Sequence, residues 1–160
     1  MLLTVPGFGW AEPIASVYDG ANNQVTTDTN AVGNGTVYVG YEQNGWLSIS
    51  NGAVLSGVAG YVGQSSGVTG EVTVTGSQTT WETSGGLYVG NFGEGTLNVE
   101  SGAILKSRSG ELGSADGSTG TVTVSGQGSI WEITEALQVG YRGAGQLVIE
   151  DGGTVTGKDA

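Results

Sequence analysis

A block of fifty residues, written twice and begun a third time, is the feature that most limits what this chain can fold into. Residues 37–86 read VYVGYEQNGWLSISNGAVLSGVAGYVGQSSGVTGEVTVTGSQTTWETSGG. Residues 87–136 follow without a gap as LYVGNFGEGTLNVESGAILKSRSGELGSADGSTGTVTVSGQGSIWEITEA, and residues 137–157 start again as LQVGYRGAGQLVIEDGGTVTG. A fixed period of this length means one structural unit stacked on itself. Each block divides again. An aliphatic residue followed by glycine recurs at Val39-Gly40, Val62-Gly63, Val89-Gly90, Leu112-Gly113 and Val139-Gly140, in steps that alternate between 23 and 27 residues. The fifty-residue block is therefore two unequal coils.

Within each coil the local pattern is that of a strand. In Leu47-Ser48-Ile49-Ser50, Val72-Thr73-Val74-Thr75, Leu97-Asn98-Val99-Glu100 and Val122-Thr123-Val124-Ser125, aliphatic and polar residues alternate. A period of two sends the aliphatics to one face and the polar residues to the other. Valine and threonine favour the pleated state, and the flanking glycines allow tight corners. Nowhere does apolar spacing of the helical kind persist, so almost no helix is expected. Strands this short are stable only when each pairs with the coils before and after it, about 4.8 Å away. These features predict an all-β chain: a right-handed, single-stranded parallel β-helix, or β-solenoid, of about five coils. Val39, Val62, Val89, Leu112 and Val139 would form one inward ladder. Leu47, Val72, Leu97, Val122 and Leu147 would form the next.

Trp81 and Trp131 occur once per fifty residues, only in the longer coil, with Leu105 near the half-repeat position between them. The preferred reading is that they fill the wider coils; the alternative is that exposed rings stack on carbohydrate. Residues 12–36 match the repeat poorly, with Ala31 where the later copies carry tryptophan, and read as a degenerate first coil or an N-terminal cap. Residues 1–11 (MLLTVPGFGWA) are apolar and uncharged, with the small pair Gly9 and Ala11 before Glu12-Pro13. They read either as the remnant of a secretory signal cleaved after Ala11 or as a frayed apolar N-terminus. The third block stops at Lys158-Asp159-Ala160, where another coil is due, so an unfinished stack with an unpaired edge is expected to associate end to end.

Composition then excludes several chemistries. Four basic residues stand against fifteen acidic ones, a net charge of −11. That argues against nucleic acid and anionic membrane as partners. It favours a soluble, self-avoiding surface, with weak binding of divalent cations as the sharper alternative. The chain has no cysteine and no histidine. Thiol chemistry, thiolate zinc sites and the Ser-His-Asp and Cys-His arrangements are thereby excluded. No stretch is long enough to span a bilayer as a helix. The calcium-binding nonapeptide is absent too, and no cofactor or metal site is expected.

The string L-x-V-G-x-x-G-x-G-x-L-x-[IV]-x-x-G, followed by G-x-x-G-x-[VT]-T-V-[ST]-G and a tryptophan, is clearest over Leu87–Trp131. It resembles a repeat of bacterial autotransporter (type V secretion) passengers, a repeat also associated with proteins carrying the PEP-CTERM sorting signal. The resemblance covers about residues 37–157. It implies a passenger fragment, secreted or displayed at the outer membrane, that acts as an adhesin-like stalk towards host-surface or matrix glycans and proteins. The competing expectation is a polysaccharide-active β-helix enzyme, a lyase or glycosidase. A glycosidase needs two carboxylates within reach of one bond. Glu100 and Glu150 share a repeat position, and with Arg108 and Arg142 they form the one conceivable cluster. A solvated strip of paired charges is the preferred reading of those four residues, because corners of a few residues leave no loop from which to build a catalytic site.

Overall fold

The computed structural model describes residues 15–19 and 35–157. Sixteen strands and no helix make up this part of the chain. The reading of residues 1–11 as a signal remnant lies outside the described residues, as does most of the degenerate segment 12–36.

The chain winds through five coils, each contributing one strand to each of three walls. The first coil consists of β2 (Thr36–Val39), β3 (Gly45–Ile49) and β4 (Val54–Gly57). The second is β5 (Ala59–Val62), β6 (Thr69–Thr75) and β7 (Thr80–Thr83), and the third β8 (Gly86–Val89), β9 (Glu94–Glu100) and β10 (Ile104–Ser107). The fourth is β11 (Ser109–Leu112), β12 (Thr119–Ser125) and β13 (Ile130–Ile133). The fifth is β14 (Leu137–Val139), β15 (Ala144–Glu150) and β16 (Thr154–Thr156). Wall one is β2-β5-β8-β11-β14, wall two is β3-β6-β9-β12-β15 and wall three is β4-β7-β10-β13-β16. Every pairing between coils is parallel. The molecule is a parallel β-solenoid of about five turns.

One strand departs from this rule. β1 (Ala15–Asp19) runs antiparallel to β3, with Ala15 opposite Ile49 and Asp19 opposite Gly45. It occupies the edge of wall two that the first coil would otherwise leave open. This part of residues 12–36 is thus not a strand of a further parallel coil.

The registers explain the alternating step. On wall two, Leu47, Val72, Leu97, Val122 and Leu147 lie opposite one another at a constant spacing of 25 residues. On wall one, Val39, Val62, Val89, Leu112 and Val139 do the same in steps of 23 and 27. The surplus sits in the corners of the second and fourth coils, chiefly in the turns 63–68 and 113–118 between wall one and wall two. A glycine with positive φ heads every turn from wall one to wall two. Gly40 has φ +76°, and a Cβ there would stand 2.6 Å from the Thr69 carbonyl oxygen of the coil above.

The longer coils also carry the tryptophans, and wall one makes room for them. Opposite one another on that wall lie Val37, Gly60, Leu87, Gly110 and Leu137. On wall three the inward ladder is Leu55, Trp81, Leu105, Trp131 and Val155. A Cβ on Gly60 would come within 2.7 Å of Trp81 Cζ2 and 2.9 Å of Leu87 Cδ1; on Gly110 it would come within 2.7 Å of Trp131 Cζ2. Each indole thus extends across the lumen into space that glycine leaves, whereas the neighbouring coils carry an aliphatic side chain at both positions, Leu87 and Leu105 in the third coil. Both tryptophans are fully buried. They fill the longer coils and are not available to stack on a ligand.

Candidate functional site

The residues singled out from the repeat are architectural. Val39, Leu47, Val62, Val72, Val89, Leu97, Leu112 and Val122 form the core with Trp81 and Trp131, while Gly40, Gly63, Gly90, Gly113 and Gly140 turn the corner after wall one with positive φ. Two members of the ladders behave differently. Leu147 is only partly buried and Val139 is 46% exposed, although both occupy inward positions. They belong to the fifth coil, which has no coil beyond it among the described residues.

The cluster of Glu100, Arg108, Arg142 and Glu150 does not assemble. Ser125 of β12 separates Glu100 from Glu150 at the end of wall two. Arg108 lies at the corner after wall three, where its Nε donates to Glu135 Oε1 at 2.7 Å. Arg142 lies at the opposite corner, its guanidinium 5.8 Å from the ring centroid of Tyr141. Same-position residues of successive coils share a face, but the two arginines belong to corners on either side of wall one.

Three outward surfaces remain as candidates. The first is a groove of about 820 Å³ over wall three and its corner, lined by Glu82, Lys106, Arg108, Glu132 and Glu135 among others. Both of its basic groups are already committed. Lys106 Nζ lies 3.3 Å from Glu132 Oε2, and Arg108 holds Glu135. All four side chains are between 43% and 61% exposed, where such pairs contribute little.

The second surface is a tyrosine ladder on wall one. Tyr38, Tyr61 and Tyr88 lie opposite one another, with centroids 5.2 and 4.7 Å apart and planes within 13° and 7° of parallel. Glu111 and Gln138 continue the row. Burial, then the neighbouring Tyr88, Tyr38 and Glu111, raise the pKa of Tyr61 above its ordinary value. The repeat carries the signal for this ladder, because tyrosine precedes Val-Gly in YVG at 38, 61 and 88. A flat face-to-face stack consumes the ring faces that a sugar would need, so the ladder reinforces the wall instead of forming a platform.

The third surface is the corner between walls one and two, which carries exposed aromatic rings in the three shorter coils. Tyr41 is 46% exposed, Phe92 54% and Tyr141 59%. Beside Phe92 an open hollow of about 280 Å³ lies between the turn at Ser66–Thr69 and Glu94. Polar side chains tie successive coils together here. Asn91 Nδ2 donates to Gln64 Oε1 at 3.0 Å, and the Thr69 amide donates to Asn44 Oδ1 at 2.8 Å. Among the described residues no three histidine, cysteine, aspartate or glutamate side chains stand close enough to share a metal ion.

Comparison of the chain with protein-family models, with characterised proteins and with solved structures gave no match.

Proposed function

We propose that this protein is a noncatalytic, secreted or surface-displayed β-solenoid module of the autotransporter-passenger type, a stalk whose outer faces contact matrix or cell-surface material. The observation that supports this reading most is the brevity of the corners. Between residues 35 and 157 no connection between strands exceeds six residues. Catalytic sites are commonly built from long loops held over a rigid scaffold. Here both basic side chains of the groove over wall three are solvent-exposed and paired with glutamates, Lys106 with Glu132 and Arg108 with Glu135, so no basic group stands ready for acid–base chemistry there.

The test has two arms. Incubation with a panel of acidic and neutral polysaccharides, with and without calcium, should release no new reducing ends and no unsaturated products. Release of either would establish the polysaccharide-active alternative instead. Binding to matrix preparations should be measurable and should fall on substitution of outward residues; absence of binding to every preparation would overturn the adhesive reading.

Self-association belongs to the same proposal. The edges of β14, β15 and β16 are unpaired among the described residues, and so are those of β2 and β4 at the other end of the stack, where β1 covers wall two alone. End-to-end contact between copies should raise the sedimentation coefficient across a concentration series. A strictly monomeric species would contradict this.

A further inference from the structure

Resting on the self-association proposed above, we infer that copies of this chain join head to tail, with β1 of one copy paired antiparallel to β15 of the next.

The fifth coil presents an open face of a known kind. Val139 is 46% and Ile149 49% exposed, whereas Val89 and Val99, at the same positions one block earlier, are fully buried between the second and fourth coils. Among the described residues, the face that the third coil shows to the fourth is thus bare on the fifth, together with the edges of β14, β15 and β16. Apolar side chains beside unpaired backbone groups form a template for a further strand.

Register decides what fits there. Within the stack every coil meets one of the other kind, from Val37 and Leu55 in the first, through Gly60 and Trp81 in the second, to Leu137 and Val155 in the fifth. The first and fifth coils are both of the aliphatic kind. A second copy set directly against the fifth coil, by either of its terminal coils, would place like against like, a contact the stack nowhere makes. One layer has to intervene.

β1 supplies that layer on wall two. It already lies antiparallel on β3, and its other edge pairs with no strand among the described residues. Two antiparallel pairings in succession leave β15 of one copy and β3 of the next running in the same direction, so the winding of the coils continues through the joint. These two strands then stand about 9.6 Å apart, the interval between two coils of the same kind in the stack. Val17 lies opposite Leu47, whose counterpart on β15 is Leu147. The same register sets Ala15 against Ile149 and Asp19 against Gly145, which keeps Asp19 at the far end of the pairing from Glu150. Only one wall is joined, so the contact is weaker than that between coils and reverses on dilution. Its two halves differ, so it repeats from copy to copy without closing.

Single cysteines test this on the full chain, which has none of its own. Ser16→Cys in one copy and Val148→Cys in another fall opposite each other across the joint. Within one molecule β1 and β15 are five strand intervals apart, about 24 Å, beyond the reach of a short bismaleimide. Mixing the two variants and adding that linker should give mainly links between positions 16 and 148, read by peptide mass spectrometry. In sedimentation velocity the unaltered chain should grow past the dimer as concentration rises. Val17→Pro, which breaks the β1 ladder, and Ile149→Lys, which charges the open face, should each weaken association by at least about tenfold. Circular dichroism confirms folding, since β1 lies outside the five coils and Ile149 is half exposed. Association that stops at dimers, links chiefly between like positions, or affinity indifferent to both substitutions would overturn this inference and leave self-association standing. A chain that stayed monomeric at every concentration would remove both.

Discussion

At the scale of single residues, the core depends on a trade between glycine and tryptophan. Gly110 and Trp131 share one volume: a Cβ at 110 would stand 2.7 Å from the indole. Gly110→Ala should therefore destabilise the protein by about 1–3 kcal/mol through overpacking. Trp131→Leu should cost a similar amount or more by leaving a void. Together they should cost at least about 1 kcal/mol less than their sum, because each relieves the other. Denaturant midpoints of the two single variants and the double variant measure this coupling. A second residue-scale prediction concerns the indole nitrogen. Trp131 Nε1 donates to Ser107 Oγ at 3.0 Å in a buried setting. Ser107→Ala strands that donor and should cost about 1–3 kcal/mol. The equivalent position two coils earlier is Gly57, and Trp81 Nε1 has no partner among the described residues. The tryptophans could be read in the sequence as fillers of the longer coils. Their partnership with Gly60 and Gly110 could not, because glycine in so glycine-rich a chain looks like a turn residue until register places it beneath a ring.

At the scale of elements, the strands were legible because period-two alternation survives in every coil, and Leu47 to Leu147 align at a constant interval. The outward rows were harder to see. Tyr38, Tyr61 and Tyr88 are separated by unequal steps, and only strand pairing reveals that they stack. The alternative grouping of Glu100 and Glu150 with Arg108 and Arg142 does not form, for the complementary reason. Sequence proximity to a shared repeat position does not say which side of wall one a corner lies on. The tyrosine ladder carries a pH dependence. Tyr61 has a raised pKa in the folded protein, so between the unfolded value of about 10 and the folded value the native state retains a proton that the unfolded chain has lost. Its contribution is complete below about pH 10 and is lost as pH rises through the folded pKa. Thermal melts from pH 8 to pH 11.5 should show this loss, and Tyr61→Phe, which cannot ionise, should reduce it. Identical profiles for the two proteins would contradict the assignment to this ring.

At the scale of the whole molecule, three walls of parallel strands are held by pairing between neighbouring coils, and each coil pairs its strands only with the coils before and after it. In such a stack stability approximates a sum of nearest-neighbour terms. The particular claim is that the stacking unit is a pair of unlike coils, one with glycine and tryptophan and one with an aliphatic residue in both places. The fifty-residue period is that pair, and the outer surface is what remains free to vary. Two tandem duplications test it most directly. Duplicating residues 87–136 adds a matched pair of coils, whereas duplicating residues 87–109 adds one shorter coil and sets like against like. Urea unfolding of both proteins beside the parent is the measurement. The pair should raise the midpoint, with a larger dependence on denaturant from the added buried surface. The single coil should lower the midpoint below that of the parent. Equal stabilisation by both insertions would contradict the account, because any coil would then serve as well as any other.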